Sequence, residues 1–71
     1  MERAIAVGTA LRGLRGEKTQ EKIASDLGIT KSAWAMYERG KRIPRDEVKI
    51  RIAQYFGIPI QEIFYPKSEH V

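Results

Sequence analysis

Four basic side chains, Arg39, Lys41, Arg42 and Arg45, crowd one short stretch of this chain, and they are the groups most ready to do chemistry. Residues 39–51 hold six basic and two acidic side chains, while the rest of the chain balances at seven and seven. The net charge of +4 therefore comes from a single segment. Such a run attracts polyanions, and guanidinium groups pair with phosphate oxygens through charge-assisted hydrogen bonds. A charge run is more often a plain solvated face, so what precedes it in the chain decides its meaning.

Other chemistries are poorly served. There is no cysteine, and the single histidine is His70, next to the C-terminus. A Ser-His-Asp set, a glycine-rich phosphate loop and a cluster of metal ligands are all missing from the pattern, so no enzyme, cofactor, metal or small-molecule ligand is expected. The absence of cysteine favours an intracellular, cytoplasmic protein. No apolar run approaches the roughly 18 residues of a membrane span. The opening MERAIAV has no uninterrupted apolar core of signal-peptide length.

The elements that must carry the basic run are helical. Seventy-one residues make one domain. At this size only roughly 60% of the unfolded surface is buried, so packing must be close or shared with a second copy. Ala4, Val7, Leu11 and Leu14 repeat at i, i+3, i+7 and i+10, which predicts a first helix over 4–15. Gly8 and Gly13 weaken it by about 1 kcal/mol each relative to alanine; either they permit close packing or they are simply tolerated, and the second is the expectation. Thr19 reads as the N-cap of a second helix whose inner face is Ile23, Ala24 and Leu27, with Gly28 as its C-terminal stop. Thr30 caps a third helix, with Ala33, Trp34 and Tyr37 on its inner face and Gly40 at its end. Pro44 opens a fourth helix over 45–56, and Pro59 a short fifth over 59–64. No two runs of alternating apolar residues lie close enough to pair as strands. The domain is expected to span 1–65, with 66–71 a short C-terminal tail stopped off by Pro66.

A tight helical pair followed by a basic loop is the pattern that presents one helix outward while another braces it. The string L-R-x-L-R at Leu11–Arg15, T-Q-E-x-I-A-x-x-L-G-I-T at Thr19–Thr30, Y-E-R-G-K-R-x-P at Tyr37–Pro44 and I-A-x-x-F-G-I at Ile52–Ile58 resembles the lambda repressor/Cro-type (XRE) helix-turn-helix family over nearly the whole chain. The resemblance implies an all-α, compact five-helix bundle of lambda repressor-like type, with the helix-turn-helix at helices two and three. The chain departs from the family at Gly16-Glu17-Lys18, a link shorter than the norm. It also departs at Pro59, which stands where a small polar cap is usual and suits a first-turn position.

The resemblance further implies that helix three enters the major groove of double-stranded DNA, where all four base pairs are distinguishable. Lys31, Ser32, Ala35 and Met36 would then face base edges. Gln20 would hold a phosphate at the start of helix two and buttress the recognition helix, and Arg39, Lys41, Arg42 and Arg45 would be further phosphate contacts. Trp34 and Tyr37 belong to the core rather than to a base-stacking platform. Arg15 and Glu38 would pair across helices one and three and orient the recognition helix. Family operators are usually two-fold repeats read by dimers. Ile58, Ile60, Phe64 and Tyr65 crowd the last helical segment and are the expected dimer face. The function so implied is a nucleoid-associated transcriptional regulator: a small stand-alone repressor of phage or mobile-element type that occludes a promoter as a homodimer. The alternatives are an antitoxin that regulates its own operon and a protein-interaction module on the same fold.

Overall fold

In a computed structural model, residues 2–65 are described. They form five helices: α1 Glu2–Arg15, α2 Gln20–Leu27, α3 Lys31–Glu38, α4 Asp46–Phe56 and α5 Ile60–Phe64. No strand occurs among the described residues. The expected tail, with Pro66 and His70, lies outside them. The first helix starts two residues earlier than its apolar stripe requires.

Local chemistry sets the ends of the helical pair. The Thr19 hydroxyl accepts the Lys22 N–H and the Thr30 hydroxyl accepts the Ala33 N–H, each at 3.0 Å. Caps of this kind each contribute about 1 kcal/mol. At Gly28 the chain turns with φ 74°, a left-handed conformation that costs glycine little. Its N–H and that of Ile29 return to the Ser25 and Ala24 carbonyls, so the last turn of α2 is satisfied before α3 begins. Pro59 sits at the N-cap of α5 rather than in its first turn, and α5 has no side-chain cap.

The core joins all five helices. Val7 and Leu11 of α1, Ile23 of α2, Trp34 of α3, Ile52 of α4 and Phe64 of α5 are its largest fully buried side chains. Packed around Trp34, α3 lies chiefly against α1 and α2, while α4 joins α2 to α5. Trp34 and Tyr37 are buried, as the amphipathic pattern requires.

One glycine is not merely tolerated. A Cβ on Gly8 would sit 2.4 Å from the Glu38 carbonyl oxygen and 2.7 Å from that of Tyr37. Backbone therefore meets backbone where α1 crosses the last turn of α3, and only glycine fits. Gly13 has open space around it and carries no such constraint.

The end of the chain corrects a second expectation. Phe64 is 1% exposed and belongs to the core, so it offers no surface to a second copy. Ile58 and Ile60 pack half-buried against that core, and Tyr65 is exposed. Among the described residues, the other large apolar side chains left exposed are Ile5, Ile43 and Ile50, none of them in the last helical segment.

Candidate nucleic-acid interface

The outward side of α3 and the loop after it form one open concavity of about 490 Å³. Lys31, Ser32, Ala35 and Met36 line it together with Arg39 and Arg42. The same wall includes Thr30 and Ala33. Ala33 is half-buried, so it both touches the core and opens to this surface. Helical spacing alone places it only inside. Lys31, Ser32, Arg39 and Arg42 are exposed. Lys41 and Arg45 are also exposed on the α3–α4 loop but do not line the concavity.

Two of the six cations in the basic segment are committed elsewhere. The Lys49 side chain is buried, donating to the Tyr65 hydroxyl at 2.6 Å with Asp46 3.8 Å away. The Arg51 guanidinium donates to the Leu27 carbonyl at 2.7 Å and so closes the C-terminal end of α2. Burial of Lys49 narrows the cationic surface, Arg51 stays exposed on α4, and the four remaining cations of the segment lie at the loop following α3.

Behind this surface stands a buried carboxylate. Glu38, in the last turn of α3, is 4% exposed. Arg15 donates to it twice, Nε to Oε2 at 2.5 Å and Nη2 to Oε1 at 3.1 Å. Gln20 Nε2 donates to Oε1 at 3.0 Å, and the Trp34 indole N–H, one turn back on the same helix, donates to Oε2. Arg12 stands 3.9 Å off and mostly exposed. Burial on its own would push the Glu38 carboxyl up. The hydrogen bonds from Arg15, Gln20 and Trp34 and the Arg15 charge outweigh it and hold the carboxyl below its ordinary range. One side chain from each of α1, α2 and α3 thus converges with Glu38 on a single point. Arg15 reaches still further, donating from Nη1 to the Lys18 carbonyl at 2.9 Å and tying down the short α1–α2 link. Gln20, expected both to hold a phosphate and to buttress α3, turns its amide to Glu38, a partner that the Trp34 and Gln20 spacings do not reveal alone.

A second tie holds the far end of α2. The Tyr55 hydroxyl of α4 donates to Asp26 Oδ2 at 2.6 Å, and Lys22 approaches the same carboxylate at 3.3 Å. The Tyr55 hydrogen bond leads the causes that lower the Asp26 carboxyl, and the same bond raises the Tyr55 phenol. At the near end, Lys31 lies 3.9 Å from Glu21 with both side chains exposed, a contact too long and too wet to restrain it.

An outward helix braced by a second across a glycine turn, with cations at its end, defines a helix-turn-helix. The helix-turn-helix domain family profile matches residues 8–69, and the chain belongs to that family, a class of DNA-binding proteins. It is 34% identical over 55 residues to the cryptic phage CTXphi transcriptional repressor RstR of Vibrio cholerae, a match covering 75% of this chain and 50% of the repressor. It is 37% identical over 46 residues to an uncharacterized HTH-type transcriptional regulator of Methanocaldococcus jannaschii, covering 65% of this chain and 70% of that protein. The chain therefore spans about half the length of the phage repressor it matches. No solved structure gives a significant match. Among the described residues, no helix is long and apolar enough to cross a membrane, and no group of side chains could hold a metal ion.

Proposed function

We propose that this protein is a sequence-specific transcriptional repressor, of phage or mobile-element type, that binds a two-fold operator as a homodimer and acts by occluding a promoter. The observation that carries the reading is the single concavity uniting Lys31 and Ser32 on α3 with Arg39 and Arg42 beyond its end. In this reading α3 lies in the major groove. Lys31 donates to guanine O6 and N7, Ser32 reads weakly, and Ala35 and Met36 make apolar contacts. Arg39, Lys41, Arg42 and Arg45 neutralise phosphates, and Gln20 offers its second amide N–H to the backbone at the start of α2. The contacts across Glu38 orient the recognition helix. The dimer forms through the exposed Tyr65 and the half-buried Ile58 and Ile60. The likeness to a phage repressor supports the regulatory part of the reading.

Selection of duplexes from a random pool tests it. A palindromic consensus is the expected outcome, with affinity falling linearly against salt on log-log axes. Recovery of no enriched duplex, or binding indifferent to salt, would favour a protein-interaction module on the same fold.

A further inference from the structure

The concavity on α3 is chemically lopsided. Its charged groups are all cations: Lys31, Arg39 and Arg42. Its other polar side chains are the Thr30 and Ser32 hydroxyls, and Thr30 already accepts the Ala33 N–H. No carboxylate and no amide side chain lines it. The floor between these groups is the Ala33 and Ala35 methyls and the Met36 side chain, all half-buried.

Each base makes a distinct demand of such a surface. Adenine is best read by a side-chain amide that donates and accepts at once, and the cytosine amino group by a carboxylate. Neither is here. Guanine presents two acceptors, which suit Lys31. Thymine presents a C5-methyl group, which suits the floor.

Resting on the DNA-binding reading above, we propose that the Ala33–Ala35–Met36 floor is a site for the C5-methyl group of a pyrimidine. The protein then favours thymine and 5-methylcytosine over their unmethylated counterparts, and cytosine C5-methylation of the operator strengthens binding. A guanine paired with 5-methylcytosine satisfies both halves of the surface within one base pair, the cation at O6 and N7 and the methyl on the floor. Removing a methyl from water against alanine and methionine is worth about a threefold to fourfold gain in affinity per group.

The test uses the full chain and the duplexes it enriches from a random pool. Each is remade with deoxyuridine in place of thymidine, and separately with 5-methylcytosine in place of cytosine at contacted positions. Affinity is expected to fall about threefold to fourfold for each contacted methyl removed and to rise by a similar factor for each one added. Met36→Gln puts an amide on the floor and should flatten both responses, while circular dichroism reports that the helices are intact. If natural and deoxyuridine duplexes bind alike, or methylcytosine leaves affinity unchanged or lower, the methyl site is refuted while DNA binding stands. A folded Met36→Gln variant that keeps the full methyl response also refutes it, by assigning the effect to DNA shape. Failure to bind any duplex removes the DNA reading itself, and the methyl site with it.

Discussion

Arg15 and Glu38 lie 23 residues apart in the chain and meet in two hydrogen bonds between the last turns of α1 and α3. The carboxylate is buried and the guanidinium about one-fifth exposed, so losing one partner is not equivalent to losing the other. Removing the carboxylate leaves the Trp34 and Gln20 donors without an acceptor, but Arg15 can swing into water. Removing the guanidinium leaves a buried charge with Gln20, Trp34 and the mostly exposed Arg12 at 3.9 Å. Breaking a buried pair costs about 3–5 kcal/mol. We expect Arg15→Ala near that range and Glu38→Gln below it, measured by urea unfolding. For a chain of this size, whose whole stability is of order 4–10 kcal/mol, Arg15→Ala removes a large share.

The same carboxylate sets a pH response. A carboxyl whose folded pKa lies below its unfolded value supplies stability that is present above the unfolded pKa and disappears as pH falls through the folded one. Glu38 is such a group, with an ordinary value of 4.5, and Asp26 is a second, ordinarily at 3.8. Thermal stability should therefore decline on acidification from about pH 5 downward. Glu38→Gln should shallow that decline. A variant whose acid profile matches the parent would assign the loss to Asp26 and other groups.

Gly8 and Gly13 occupy one helix and should respond oppositely to alanine. Gly8→Ala drives a methyl into two backbone carbonyls, and such overpacking costs about 1–3 kcal/mol. Gly13→Ala meets nothing and should gain about 0.5–1 kcal/mol from helix propensity. Parallel melts of the two variants check both signs.

Three cations, two at the proposed interface and one buried, should respond in three ways. Lys31→Ala should relax preference at one or two base pairs, by about 1–3 kcal/mol of discrimination. Arg42→Ala should weaken all duplexes alike and reduce the salt slope by about one. Lys49→Met should do neither, because its ammonium is turned inward to Tyr65. A salt slope altered by Lys49→Met would place that side chain at a phosphate instead.

Dimerisation without DNA is checked by light scattering at low and high micromolar concentration. The expected result is a mass that rises toward twice the chain's 8.1 kDa. Tyr65→Lys should hold it at the monomer value. A single-chain mass at both concentrations for the parent would remove the dimer proposed through Tyr65, Ile58 and Ile60.

Local chemistry was directly legible in the residues. Thr19 and Thr30 name two helix starts, and Gly28 a stop, because a cap bonds within its own turn. The core face of α3 is plain from spacing. Interactions that span helices were harder. Which of Gly8 and Gly13 serves close packing is not legible, because the carbonyls that Gly8 approaches belong to a different helix, far along the chain. Lys49 counts as surface charge because lysine usually is, yet it is buried against Tyr65, which lies outside its own helix. Phe64 was placed on a dimer face because a short terminal helix rarely reveals which side turns inward. The Arg15–Glu38 pairing was available only through family resemblance, and its burial not at all.

The backbone contact at Gly8 separates stability from vocabulary. The pitch of α3 is set by main-chain atoms and by Glu38, both on the side away from the concavity. Lys31 and Ser32 are exposed and contribute nothing to that setting. Exchanging them leaves the contacts that orient α3 undisturbed. On the proposed DNA-binding reading, a change of base preference by one or two substitutions at these positions leaves folding as it was.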